Sequence, residues 1–139
     1  MKDQCKFHHT FRVRFTETDP HNHVFNGVYY TYFDTAITEY FRSLKLLDCL
    51  NMNSNSLFFV LKTSARYYQP VMFDDLIDVY VKTSHMGNSS LTFNLYVYCK
   101  NDDSLKCEGE VVWVFTDAVT QTKKSIDNNI RDVISNFEG

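Results

Sequence analysis

Between Thr10 and Phe15 the chain alternates, with Phe11, Val13 and Phe15 on one face and Thr10, Arg12 and Arg14 on the other. That period of two predicts a half-buried strand over Thr10 to Phe15. TETDPHNH follows, dense in turn formers and broken by a proline, and reads as a loop. Phe33, Ile37, Tyr40, Phe41 and Leu44 then recur at helical spacing up to about Leu47, with Asn26 placed as the N-cap. A helix of about 20 residues, about 30 Å long, is expected there. CLNMNSNS has no hydrophobic period and reads as a polar linker. Beyond it strands dominate, at about 57–68, 74–85, 89–99 and 106–116. The clearest sets Leu91, Phe93, Leu95, Val97 and Cys99 against Thr92, Asn94, Tyr96 and Tyr98. HMGNS and KNDDS are too short for parallel crossovers, so the sheet should be antiparallel. A weak amphipathic helix from Ile126 to Phe137 closes the pattern.

One long helix followed by about five antiparallel strands is an α+β pattern, with the helix laid over the apolar face of the sheet. The 139 residues, with no composition shift or repeat, are expected to form one domain, 1–139. Five strands span about 24 Å, whereas a helix is about 10 Å across, so part of the sheet is left for another cover. The twelve Phe and nine Tyr exceed what a small core readily hides, which points to a ligand cavity or a subunit interface. Together these favour a homo-oligomer, dimer or tetramer, over a monomer that uses the terminal helix as second cover.

Fourteen basic against seventeen acidic residues exclude the basic excess that binding to nucleic acid requires. No apolar run reaches the length of a membrane span, and the start MKDQCKFHHT lacks an apolar signal core, so the expected location is cytoplasmic. Cys5, Cys49, Cys99 and Cys107 stand far apart with no Cys-x-x-Cys pair, and reduced thiols are expected rather than a zinc site or disulfide framework.

The chemistry concentrates in FTETDPHNHVFNGVYYTYFDTA, where an aspartate, two histidines and an asparagine precede a helix start. Unpaired N–H groups and the partial positive charge at such a start would polarise an acyl oxygen, and Asn26 and Gly27 stand where those donors lie. Gly27, without a side chain, would let a ligand approach the backbone closely. Asp19 could then activate water or attack the carbonyl itself, although composition alone favours an Asp-Pro turn whose carboxylate binds nearby N–H groups. His21 and His23 lack the third ligand and the spacing of a metal site, so no metal or cofactor is expected. Tyr29, Tyr30, Tyr32 and Phe33 suit a core or interface.

The same stretch, TETDPHNHVFNGVYYTYFDTA, resembles the signature of the hotdog-fold acyl-CoA thioesterases of the 4-hydroxybenzoyl-CoA thioesterase-like family, a pattern running roughly T-D-x-x-G-x-V-x-N-x-x-Y-x-x-Y-F-E-x-A. ARYYQPVMFDDLIDVYVKTSHMGNSSLTFNLYVY is similar to the family's Tyr-x-x-Pro, Asp-Asp and Gly-x-x-Ser segment, and EGEVVWVFTDAVTQTKKSI to its final strand. The resemblance implies a hotdog fold, a long central helix wrapped by an antiparallel sheet, in dimers or tetramers that bind an acyl-CoA or acyl carrier protein thioester. It places Asp19 at the catalytic aspartate and Asn26 where a backbone N–H polarises the thioester. His23, Val24 and Tyr29 fall around the pocket, and Ser90 at the serine of the Gly-x-x-Ser turn near the bound cofactor. Asn22 stands where many members have glycine, and asparagine tolerates the left-handed backbone such a loop needs. Lys62, Arg66, Lys82, Lys123 and Lys124 are candidates for the nucleotide end. Two other readings share the fold: a non-enzymatic acyl-binding module, and a hydratase or dehydratase using His23 with Asp19.

Overall fold

The computed structural model describes residues 1–50 and 55–139, so residues 51–54 of the expected polar linker lie outside the described residues. The elements are β1 (Phe7–Arg12), α1 (Val28–Ser43), β2 (Ser56–Tyr67), β3 (Leu76–Met86), β4 (Ser90–Cys99), β5 (Leu105–Asp117) and α2 (Asn128–Glu138), with short 3-10 turns at Lys2–Gln4, Phe15–Glu17 and Leu47–Leu50. All strand pairs are antiparallel, in the order β1-β3-β4-β5-β2. With α1 packed across one face, this is the expected α+β hotdog architecture. Among the described residues no helix is long and apolar enough to cross a membrane.

The inward faces follow the alternation of the sequence. Leu91, Phe93, Leu95 and Val97 of β4 are fully buried beside Cys107, Val111, Trp113 and Phe115 of β5. Against them α1 turns Tyr29, Tyr32, Phe33, Ala36, Ile37, Tyr40 and Phe41, a stripe repeating every three or four residues. Each large side chain so buried contributes about 1.5–3 kcal/mol. Gly109 of β5 lets the two layers meet closely, since a Cβ there would lie 2.4 Å from Cζ of Phe33. α2 covers another part of the same face with Ile130 and Ile134, and its Glu138 accepts hydrogen bonds from the Tyr40 hydroxyl (2.6 Å) and the Thr83 N–H (2.9 Å).

The strands expected at about 57–68, 74–85, 89–99 and 106–116 shift by one or two residues, and the other three elements also differ from the sequence reading. The first strand is Phe7–Arg12 rather than Thr10 to Phe15, because the Arg14 N–H turns to the Glu17 carboxylate (2.8 Å) and a 3-10 turn forms. Phe15 thereby leaves the face it would share with Val13 and is 73% exposed. The central helix has 16 residues rather than about 20, and its N-cap is Gly27, not Asn26, with no side-chain capping bond. It ends early because Lys45 takes a left-handed backbone (φ 61°) and the Leu46 N–H returns to the Phe41 carbonyl at 2.9 Å. The terminal helix starts at Asn128 rather than Ile126 and runs to Glu138.

Candidate active site

The loop before α1 is a tight turn closed on itself. The Asp19 N–H donates to the His23 carbonyl (2.8 Å) and the Asn22 N–H to the Asp19 carbonyl (2.9 Å), while Thr18 bridges to Val24. Asn22 sits at φ 65°, the left-handed backbone expected of it. Oδ1 of Asp19 accepts the N–H groups of His21 (2.9 Å) and His23 (3.2 Å). The turn-forming role of Asp19 is therefore real, yet it occupies one oxygen only. Among the described residues Oδ2 accepts no hydrogen bond. His23 reaches Asp19 through its backbone, and no hydrogen bond joins its imidazole to the carboxylate.

Beneath this turn lies a carboxylate that the sequence reading did not single out. Glu17, 8% exposed, accepts the Arg14 N–H (2.8 Å), the Arg14 Nε–H (3.0 Å) and the Tyr32 hydroxyl (2.8 Å), and its carbonyl accepts the Phe25 N–H (3.0 Å). It ties the loop to α1. Burial by itself raises the Glu17 carboxyl, but the hydrogen bonds from Arg14 and Tyr32 and the Arg14 charge outweigh it and hold the group below its ordinary value. Burial and the Glu17 partner push the Tyr32 phenol up. Glu17→Ala leaves the buried Tyr32 hydroxyl without its acceptor and should cost about 1–3 kcal/mol at pH 7. Because the folded carboxyl titrates below the unfolded one, its contribution is complete above the unfolded value of about 4.3 and is lost as pH falls through the folded value. Urea unfolding at pH 7 and pH 3 should show the wild-type advantage over the variant shrinking with acid. An advantage independent of pH would mean that the carboxylate charge plays no part.

At the start of α1 the Val28 N–H is taken by the Phe25 carbonyl (2.9 Å), whereas the N–H groups of Asn26 and Gly27 donate to no described residue. The Asn26 carbonyl accepts the Tyr67 hydroxyl (2.9 Å), which pins the helix start to the end of β2. Tyr29 is buried against the Tyr67 ring, with centroids 5.1 Å apart, and burial first of all pushes its phenol up to about 12, so it is a neutral wall. On its side-chain face Gly27 is bordered by the Phe25 ring. A Cβ there would meet the Phe25 ring at 3.1 Å, and its φ of −70° suits any residue.

These groups surround a cleft of about 450 Å³, lined by Asp19, His23, Val24, Phe25, Asn26, Tyr29, Tyr67, Tyr68, Gln69 and Pro70. It gathers Asp19, His23, Val24, Asn26 and Tyr29, with Gly27 adjacent in the chain. Ser90 does not join them; it opens β4, opposite Val114, and its carbonyl accepts the Gly87 N–H (2.8 Å). Of the basic candidates, Lys62 is paired with Glu110 at 3.5 Å. The wall formed by Tyr67, Tyr68, Gln69 and Pro70 was visible in the sequence as a Tyr-x-x-Pro segment, without a sign that it would face Asp19. Among the described residues no three His, Cys, Asp or Glu side chains cluster to hold a metal.

The chain thus has a hotdog fold with a cleft at the helix start, where Asp19 lies on the same lining as Asn26. The model of the thioesterase superfamily matches residues 21–106, and the chain belongs to that family. It is 32% identical over 93 residues to the uncharacterized protein YsmA of Bacillus subtilis, covering 67% of this chain and 61% of that protein's length. It is 25% identical over 119 residues to the acyl-CoA thioester hydrolase YbgC of Escherichia coli, covering 86% and 88% of the two chains. The crystal structure of PA5185 from Pseudomonas aeruginosa superposes with a TM-score of 0.87 at 25% identity, over 97% of this chain and 93% of that one.

Proposed function

We propose that this chain hydrolyses acyl-CoA thioesters in the cytoplasm, with Asp19 and the backbone N–H groups of Asn26 and Gly27 as its catalytic groups. The observation that carries this reading is the pairing, in one cleft, of Asp19, whose Oδ2 accepts no hydrogen bond among the described residues, with Asn26, whose N–H and that of the adjoining Gly27 donate to no described residue. The thioester carbonyl lies against those N–H groups, which take up the negative charge as the carbonyl carbon becomes tetrahedral. Oδ2 removes a proton from the attacking water, or attacks first and is then released by water. In either order the C–S bond breaks, the thiolate leaves and takes up a proton, and the free acid departs. His23, Val24 and Tyr29 shape the wall around the acyl group. Its relative YbgC, named an acyl-CoA thioester hydrolase, supports CoA as the thiol, and an acyl carrier protein thioester presents the same arm. The test is release of free thiol from a panel of acyl-CoA thioesters in the presence of a chelator. No thiol release across short, branched and aromatic acyl groups would overturn the reading.

The working unit is a dimer formed at the edge of the sheet. Among the described residues β2 pairs with β5 alone and ends the sheet, and Phe59, Val60 and Leu61 along it are 63%, 50% and 61% exposed. A long apolar edge strand left open is a template for pairing with another strand, and a second copy of β2 satisfies it. Light scattering should return twice the chain mass at micromolar concentration, and Phe59→Lys with Leu61→Lys should return the chain mass. A monomeric wild type would remove the argument.

A further inference from the structure

We infer that Gln69 binds the thiol arm of the substrate, donating a hydrogen bond from its side-chain amide to an amide carbonyl of that arm, and that Lys106 positions it. The inference rests on the thioester-hydrolase reading above. Gln69 lines the cleft next to Pro70, just beyond the end of β2. Lys106 is only 8% exposed, and its Nζ donates to Oε1 of Gln69 at 3.0 Å, with Asp102 at 3.8 Å as its carboxylate neighbour.

A lysine ammonium has donors and no acceptor, so the atom facing it must be the amide oxygen. The orientation of the Gln69 amide is thereby set by chemistry, and its NH2 group is turned away from Lys106. Among the described residues that NH2 donates to nothing. The backbone reinforces the arrangement, since the N–H groups of Tyr68 and Gln69 both donate to the Lys106 carbonyl, at 2.9 and 3.3 Å. A buried cation thus holds an exposed amide as a donor at the wall of the cleft.

The position decides which part of the substrate it meets. Val24 and Tyr29, at 5% and 3% exposure, form the floor, whereas Gln69 is exposed at the mouth. With the carbonyl held between Asp19 and the helix start, the thiol side carries the larger group and must pass the mouth to reach solvent. The pantetheine arm of that thiol is built from amides, whose carbonyl oxygens are acceptors matched to an NH2 donor.

The experiment compares two thioesters of one acid, the pantetheine thioester and the S-propyl thioester, which lacks the amides and in neither case carries nucleotide phosphates. Gln69→Glu keeps an oxygen for Lys106 and removes the N–H donors. It should lower the ratio of kcat/KM for the pantetheine thioester to that for the propyl thioester by about tenfold, the worth of one hydrogen bond, with the loss in KM. Lys106→Met, which frees the amide to rotate, should lower the same ratio, again through KM. A ratio equal to wild type in Gln69→Glu overturns the assignment while thioester cleavage stands. A wild type that releases thiol from neither substrate, nor from the CoA thioester of the same acid, overturns both readings together.

Discussion

Asp19→Asn should keep the fold and lower kcat by about 10²–10⁴, the usual worth of a positioned base. Asparagine is the informative substitution because its side-chain oxygen can still accept the His21 and His23 N–H groups that Oδ1 accepts now. The turn survives, and what disappears is the charge and basicity of the second oxygen. KM should change little, since the loss falls on the transition state. Asn26→Ala is the matched control. The helix is capped at Gly27 rather than by the Asn26 side chain, and the proposed donors belong to the backbone, so turnover should fall far less than with Asp19→Asn. The measurement is steady-state thiol release, with circular dichroism to verify folding. Full turnover in a folded Asp19→Asn protein would sink the mechanism, and abolition of turnover by Asn26→Ala would move the catalytic role from backbone to side chain.

The largest effect on stability is expected at Gly109. A glycine-to-alanine change in a strand ordinarily stabilises by about 0.4–1 kcal/mol, through the unfolded chain. Here the new methyl would sit 2.4 and 2.5 Å from two ring carbons of Phe33, which is itself fully buried and has nowhere to retreat. Overpacking wins. Gly109→Ala should destabilise by about 3 kcal/mol, the upper end of the range for an added core methylene. Because the clash has one partner, shortening that partner should relieve it: Phe33→Leu together with Gly109→Ala should cost less than the sum of the two single changes by about 1 kcal/mol or more. Denaturant unfolding of the four proteins measures the coupling. Strict additivity would show that the helix and sheet are not held apart at this contact.

The loop shows why one residue can satisfy two readings. Asp19 is a turn former, as its Asp-Pro context suggested, and its second oxygen remains available for chemistry. Asn26 was expected to cap the helix, but the cap falls to Gly27, while the Asn26 carbonyl accepts the Tyr67 hydroxyl and its N–H donates to no described residue. A capping preference is a property of residue type, whereas the actual start was decided one residue later by the packing of α1 on the sheet.

By itself the sequence determined the kind and order of elements, the α+β class and the loop that carries Asp19, because hydrophobic periodicity and turn chemistry act between near neighbours in the chain. It did not disclose the Phe33–Gly109 contact, the wall facing Asp19, or the Lys106–Gln69 pair that orients a donor into the cleft. Glu17 was hidden for a related reason: Arg14 lies three residues away, but Tyr32 reaches it from a helix fifteen residues on. Each of these depends on residues from different elements meeting at a set distance, and that distance exists only once α1 lies on the sheet and β2 is paired along β5.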